Sequence, residues 1–297
     1  MKTKLYSIAV FISLSNFLCA QIQVNQQMVV KPTDPVDQAI ESSLLLPFSE
    51  LDKSKIETGL LLDAGMEFAD LKKYSGIPTD SSFTTSKIIS DVYSTLIMSK
   101  ISSNGGTLKN PNDFQNEWYK NQTIDLITVA GVYFKYNQFS ESNQNAFKSM
   151  ASSFTDNRTS NITTSSLAIT PQNKIVDVYS NGIWQNPYDI NKVFAMAPIA
   201  GSHNKMHFNV VFPSTLFVSN YNSEISSLEV KFSDSSSFQT ITMGQIIPVS
   251  YPAVGEYTWT YKLTLANGQI LYSKNKFTVS GDLEKYVDID SLSLNHL

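Results

Sequence analysis

The chain has 297 residues, with 22 lysine and arginine residues against 26 aspartate and glutamate residues, and a net charge of −4 at pH 7. Arg158 is the only arginine in the sequence. Binding to a nucleic-acid backbone requires clustered positive charge, for which arginine is the preferred residue, so this composition argues against nucleic acid as a partner.

The first 20 residues, MKTKLYSIAVFISLSNFLCA, predict a secretory signal peptide. Lys2 and Lys4 precede an apolar run, and the small residue Ala20 stands before the expected cleavage point. Because Cys19 is the only cysteine, cleavage after Ala20 would leave a secreted or cell-surface chain without disulfides, thiol nucleophile or cysteine-ligated metal. No later apolar segment approaches the ~20 residues that span a membrane. The leader resembles those of exported proteins of the Bacteroidota.

Residues 21–200 predict an α+β region whose sheet order the sequence does not determine. Helices are predicted over 31–46, 55–76 and 81–101, and the last shows the plainest helical spacing of apolar residues. The run DLITVAGVYFKYNQF, 125–139, is rich in β-branched and aromatic residues and predicts a covered strand, with Gly131 at a bulge or a close backbone approach.

Two further features of this region concern its loops. Residues 149–171 are rich in serine, threonine and asparagine without a sustained period, which predicts an exposed loop. Asn181 and Gly182 lie between two strand-like runs, and an Asn-Gly pair in that position predicts a tight β-hairpin.

From about residue 204 the pattern is wholly β. Seven strand-like runs follow one another: MHFNVVF, TLFVSN, SSLEVKF, FQTIT, IIPVSY, EYTWTYKLTL and QILYSKNKFTV. Runs of this length and spacing predict a seven-stranded immunoglobulin-like β-sandwich over 204–281. The fold class is therefore α+β, with a mixed N-terminal region followed by the sandwich. The remaining residues, 282–297, are interpreted as an acidic tail or linker.

Tyr257 and Trp259 give the sandwich its most specific signal. In VSYPAVGEYTWTYKLTLANG, Tyr257 follows a predicted corner and is placed to hydrogen-bond back to the corner's backbone, while Trp259 takes the core position two residues later. This segment resembles the final strands of PKD-like domains, which implies a β-sandwich used for spacing or adhesion. Where that family usually carries an aspartate-glycine motif, this chain has FSDSSSF. The N-terminal region resembles no family that we recognise.

Residues that could carry chemistry are few. Asp63, Glu67 and Asp70 would share one face of a continuous helix, and a pair such as Asp63 and Glu67 could act in glycoside hydrolysis if it opened into a cleft. A solvated helix face is the simpler interpretation. His203 and His207 lie four residues apart, but on an extended chain their rings would be about 13 Å apart, too far to share a metal. No metal or cofactor is therefore predicted.

The aromatic residues Trp184 and Tyr188, beside the predicted hairpin tip, are the candidate ligand-binding residues because exposed loop aromatics often bind ligands. The favoured function is a secreted, non-catalytic binding or spacer module of a cell-surface or exported protein, with a glycan or a protein as its ligand. The alternative is an accessory part of an extracellular hydrolase that acts on polysaccharide or peptide, with Asp63 and Glu67 as its carboxylates.

Overall fold

The computed structural model describes residues 42, 45–121, 126–146 and 162–281 of the chain. Two α-helices, α1 (Ser86–Met98) and α2 (Pro111–Lys120), precede the first strand, and residues 141–146 are also helical. The strands are β1 (Leu126–Phe139), β2 (Ile162–Thr163), β3 (Leu167–Ile169), β4 (Ile175–Asp177), β5 (Tyr179–Ser180), β6 (Ile183–Trp184), β7 (Tyr188–Pro198), β8 (Ser202–His203), β9 (His207–Val211), β10 (Phe217–Ser219), β11 (Ile225–Lys231), β12 (Gln239–Thr240), β13 (Ile246–Ser250), β14 (Gly255–Leu265) and β15 (Ile270–Val279).

Two five-stranded sheets form the body of the molecule. In the first, β1 pairs antiparallel with β7 on one side and parallel with β9 and β10 on the other, and β9 pairs with β13. The second sheet has the order β12-β11-β14-β15-β8. The fold is thus mixed α+β and dominated by strands. All seven runs predicted to be strands after residue 204 form strands, and β1 joins the N-terminal region to them in one sheet.

The largest hydrophobic core lies between these two sheets. Strand β14 places Trp259, Tyr261, Leu263 and Leu265 on its buried face, as the alternation in its sequence predicts. The ring of Trp259 is completely buried and stacks on Phe277 with ring centroids 4.4 Å apart.

The tyrosine corner predicted from the sequence is present. The Tyr257 hydroxyl donates a hydrogen bond of 2.7 Å to the carbonyl oxygen of Ala253, four residues upstream. Its ring stacks on Tyr251, whose hydroxyl in turn accepts a hydrogen bond from Trp259 Nε1 at 2.6 Å and donates one to Phe232 O at 2.7 Å. The buried indole and phenol therefore have hydrogen-bond partners, as buried polar atoms require.

Helices cover the other face of the β1–β7 sheet. Thr85 caps α1 by accepting a hydrogen bond from the amide of Ile88, and the helix buries an apolar stripe against β1 and β7. Helix α2 was not predicted, although Asn110 caps it and Pro111 begins it, both of which are helix-start signals. At Gly131 an added Cβ would lie 2.8 Å from Met196 Cγ and 3.0 Å from Phe217 Cδ2, so neighbouring side chains, not another stretch of backbone, crowd this glycine.

The helix predicted over 55–76 is wrong. Lys55 ends the 3-10 helix Lys53–Lys55, and two more 3-10 helices follow, Leu62–Ala64 and Leu71–Tyr74, joined by turns, bends and isolated bridge residues. Gly59 has a positive φ of 71°, and an added Cβ there would meet the backbone of Asn104 at 2.0 Å. A helix could not pass through this position, because the chain approaches its neighbour closely in a left-handed conformation.

Residues 149–171 are not wholly a loop, because β2 and β3 lie within their C-terminal half and form a three-stranded sheet with β4. Residues 149–161, the predicted leader, nearly all of the predicted helix at 31–46, and the acidic tail lie outside the described residues. The predicted hairpin is confirmed, with positive φ at both Asn181 and Gly182 between β5 and β6. None of the helices formed by described residues is long and apolar enough to cross a membrane.

Candidate functional site

The face of the paired strands β1 and β7 that packs on the helices changes from apolar to polar near the end of β1. Its inner rungs are apolar: Ala130 pairs with Ala197, Val132 with Ala195, and Phe134 with Val193. The last two rungs on this face are polar. Tyr136 lies opposite Asn191, and Gln138 lies opposite Asp189. Because alternate residues of a strand share a face, these side chains continue the same surface outward from the core.

A pocket of about 350 Å³ opens over these last rungs. Its walls come from the end of β1, the start of β7, the helical residues 141–146 and the 3-10 helix Leu71–Tyr74. The lining residues are Lys72, Gln138, Phe139, Glu141, Gln144, Asn145, Asp189 and Asn191. Four of the eight are carboxamides and three are charged, so the lining is almost entirely polar. The volume falls within the range of small-molecule binding sites.

Gln138 is the most deeply placed polar residue of this lining, with only 8% of its surface exposed. Its Oε1 accepts a long hydrogen bond of 3.5 Å from Asn191 Nδ2. The side-chain nitrogen of Gln138, Nε2, makes no hydrogen bond within the described part of the chain. A buried carboxamide normally satisfies both of its ends, so the unused donor of Gln138 is available to a ligand acceptor.

Tyr136 lies one rung deeper and is completely buried. Its hydroxyl has no hydrogen-bond partner among the described residues. Burial raises the pKa of this phenol, and the carboxylates of Glu67, Asp70 and Asp63 raise it further. The floor beside the pocket therefore carries a neutral hydroxyl in a negative electrostatic environment.

Asp63 supports the pocket without lining it. It lies in the 3-10 helix Leu62–Ala64, and its Oδ2 accepts a hydrogen bond of 2.7 Å from the backbone amide of Phe139, which lines the pocket. Burial raises the pKa of this carboxyl to about 6, and the repulsion of Glu67 adds to the rise. The Phe139 hydrogen bond opposes the rise because it favours the charged form.

The carboxylate pair named by the alternative hypothesis, Asp63 and Glu67, does not lie on a helix face and does not line this pocket. The helix that would place Asp63 and Glu67 on one face is absent, since Gly65 ends the 3-10 helix in an extended conformation. Asp63 binds a backbone amide, and Glu67 is exposed, although partial desolvation and then Asp70 raise its pKa. Neither is among the described residues that line the pocket.

The two aromatic residues proposed as ligand-binding residues are placed differently from the expectation. Tyr188 is 5% exposed and packs on Phe139 with ring centroids 5.3 Å apart, so the expectation that it lies exposed beside the hairpin is wrong. Trp184 is half-buried, donates a hydrogen bond of 2.7 Å to Asp177, and has the Lys55 ammonium 5.5 Å from its ring centroid. Both rings belong to the small core at the end of β1: Tyr188 is one of its buried residues, and Trp184 packs against it.

The two histidines lie on separate strands. His203 is buried in β8 and its Nδ1 accepts a hydrogen bond of 2.9 Å from the Lys205 amide, whereas His207 is exposed at the start of β9 with its Nδ1 2.9 Å from Ser250 Oγ. Within the described residues, no three histidine, cysteine or acidic side chains lie close enough together to hold a metal ion.

The comparisons with known proteins identify no relative: no protein-family model matches the chain, and no curated protein has significant sequence similarity to it. The site therefore has to be judged from its own geometry. Sequence reasoning missed Gln138, Asp189 and Asn191. The available signal was the change from apolar to polar residues at the end of YFKYNQF, but only the strand register brings YDIN beside it.

Proposed function

We propose that this chain is an exported, non-catalytic binding module, and that its ligand is a glycan held in the pocket where β1 ends and β7 begins. The observation that carries the proposal is the polar pocket on a sheet face that is otherwise apolar. Polar residues at the end of a core-facing sheet surface cost stability unless water or a ligand satisfies them.

The lining chemistry favours a saccharide. Sugar hydroxyls both donate and accept hydrogen bonds, and carboxamide side chains offer both functions on one planar group. Four such groups line the pocket, from Gln138, Gln144, Asn145 and Asn191; Gln144 Nε2 already donates to Phe139 O and Asn191 Nδ2 to Gln138 Oε1. The unused amide donor of Gln138 sits at its deepest polar position and would take a hydroxyl or ring oxygen as its acceptor.

Binding is favoured over hydrolysis because the carboxylates in the pocket are in the wrong surroundings for a general acid. Glu141 and Asp189 line the pocket, but both are exposed. A carboxyl that donates a proton to a glycosidic oxygen needs burial to keep it protonated, and Asp63, which is half-buried, binds the Phe139 amide instead.

For the C-terminal strands we propose an immunoglobulin-like sandwich of the PKD-like type. The sheet order β11-β14-β15, facing the β9–β13 pair across one core, corresponds to the C-F-G and B-E strands of such sandwiches. The Tyr257 corner supports the same assignment. The predicted leader supports export. The sandwich supports a spacer role only by analogy with other proteins of that fold.

The proposal is tested by calorimetric titration of the full chain with neutral oligosaccharides: cello-, xylo- and N-acetylglucosamine oligomers. We expect saturable binding of at least one series, weakened on the order of tenfold or more by Gln138→Met, which removes the unused side-chain donor of the pocket at nearly constant volume. Gln245→Met, at an exposed turn that does not line the pocket, is the matched control and should bind as the parent does.

Two results would contradict the proposal. If no series binds, the pocket is not a glycan site. If the chain releases reducing ends from a bound oligomer, the non-catalytic assignment is wrong. Trp184→Ala distinguishes the pocket from the aromatic site predicted from the sequence. If Trp184→Ala loses binding while Gln138→Met retains it, the ligand binds at the β5–β6 hairpin and not in the pocket.

A further inference from the structure

The charges around the pocket are unbalanced. Among the described residues, five carboxylates belong to the segments that form the pocket or to the loop beside it, against three lysines, Lys72, Lys73 and Lys192. The five are Asp63, Glu67, Asp70, Glu141 and Asp189. The chain as a whole is only mildly acidic, so this excess is local.

Lys72, the one cation among the described lining residues, also lies near carboxylates outside the pocket. Lys72 lowers the pKa of both Asp63 and Glu67, so its ammonium group lies within electrostatic reach of those two side chains. By contrast, Glu141 and Asp189 form no ion pair with any residue in the described part of the chain. The pocket thus offers two carboxylates that have no ion-pair partner among the described residues, and an unused side-chain amide donor.

We infer that the pocket selects a saccharide that carries a primary ammonium group, an amino sugar. This inference rests on the proposed function and names its ligand class. The ammonium group would bind between the Glu141 and Asp189 carboxylates, while the carboxamides of Gln138 and Asn191 hold neighbouring hydroxyls. Hydrogen bonds between ions are about twice as strong as neutral ones, and an amino sugar uses both kinds of group on the lining.

A peptide lysine presents the same ammonium group, but it fits the site less well. Its four-carbon stem needs an apolar wall, and Phe139 is the only apolar side chain among the described lining residues. The ring hydroxyls of a sugar match the carboxamides that make up half of the lining. An amino sugar therefore uses the whole pocket, whereas a lysine would use its rim.

The experiment compares glucosamine oligomers with N-acetylglucosamine oligomers of the same length, by calorimetry on the full chain. The pH is set above the usual pKa of exposed carboxylates and below that of the sugar amine. We expect the glucosamine oligomer to bind on the order of tenfold more tightly and to lose this advantage as salt is added. A lysine-containing tetrapeptide is the third probe.

Variants assign the preference to the carboxylates. The double variant Glu141→Gln, Asp189→Asn keeps the shape of both exposed side chains and should bind the two oligomers equally. Asp80→Asn, another exposed carboxylate outside the pocket, is the matched control and should keep the full preference. Unchanged melting curves and an unchanged far-UV circular dichroism spectrum show that the double variant is folded.

The outcomes separate the inference from the proposed function. Equal binding of both oligomers by the parent chain overturns the amino-sugar inference and leaves a neutral glycan site. Binding of neither oligomer, and of no neutral series, overturns the proposed function itself. Tighter binding of the tetrapeptide than of the glucosamine oligomer replaces the saccharide with a protein ligand.

Discussion

The C-terminal strands and the N-terminal segment 45–77 are held in place by different kinds of contact. In β14 and β15 the buried residues alternate along the chain, and neighbouring strands supply the backbone partners. In 45–77 the chain has short 3-10 turns, and side chains from distant parts of the sequence hold its backbone. Contacts of this kind include those of Asp177 with the Asp52 amide, Asn137 with the Thr58 amide, and Thr95 with the Phe68 and Ala69 amides.

This difference shows where a pattern in the sequence specifies structure. The structure of an alternating strand is specified by its local sequence, because burial of one face fixes which residues point inward. A segment held by long-range hydrogen bonds depends on partners that only the finished fold supplies. Substitutions in the two regions should therefore fail in different ways, and the comparison can be tested by substituting one residue of each kind.

Trp259→Ala should give the largest loss. It empties a completely buried site between the sheets and removes the hydrogen-bond donor to Tyr251, so we expect a loss of about 3–5 kcal/mol in the free energy of unfolding. Urea denaturation followed by circular dichroism measures it. Trp184→Ala, at a half-buried ring, is the control and should lose clearly less. Equal losses in the two variants would mean that the inter-sheet core does not dominate stability.

Thr95→Val tests the N-terminal segment. The Thr95 hydroxyl accepts hydrogen bonds from the amides of Phe68, at 2.9 Å, and Ala69, at 3.2 Å, and valine has the same shape without the acceptor. We expect a loss of about 1–3 kcal/mol together with faster proteolysis within 62–75. Thr107→Val, at an exposed threonine, should change neither quantity. Unaltered proteolysis in Thr95→Val would show that packing alone holds the segment.

Asp63→Asn tests the same region through pH. The pKa of Asp63 is raised in the folded state to about 6 from 3.8, so its folded-state proton is held more tightly than in the unfolded chain. Its contribution to stability is full below about pH 4 and is lost as the pH rises through 6. The stability of Asp63→Asn relative to the parent should therefore increase between pH 4 and pH 7.5, by on the order of 1–3 kcal/mol. Parallel stability curves for the two proteins would contradict the raised pKa.

The sequence predicted the parts of the fold that depend on periodicity. Helix α1, the seven C-terminal strands, the turn at Asn181 and the buried face that includes Trp259 all follow from local patterns. The helix predicted over 55–76 fails because its apolar spacing looks helical, while the close backbone approach at Gly59 forbids one. Local propensity is overridden there by tertiary contacts.

The candidate site was less accessible to sequence reasoning. Its two polar rungs, Tyr136 with Asn191 and Gln138 with Asp189, exist only because β1 and β7 pair in one register across about 50 residues of intervening chain. Tyr188 was expected at the surface because it follows a hairpin tip, but the fold buries it against Phe139. Loop position in the sequence therefore does not establish exposure.

The smallest expected effect is that of Tyr257→Phe, and it tests the C-terminal region at its edge. The variant loses one hydrogen bond, from the hydroxyl to Ala253, while the ring stays stacked on Tyr251. Because this hydrogen bond lies at an exposed corner, we expect a loss of about 0.5–1 kcal/mol in the free energy of unfolding. Tyr272→Phe, at a half-buried tyrosine on β15 for which the structure gives no hydroxyl hydrogen bond within the described residues, is the control. If the two variants melt alike, the corner stabilises the turn no more than an ordinary surface tyrosine does, and the sandwich assignment then depends on strand order alone.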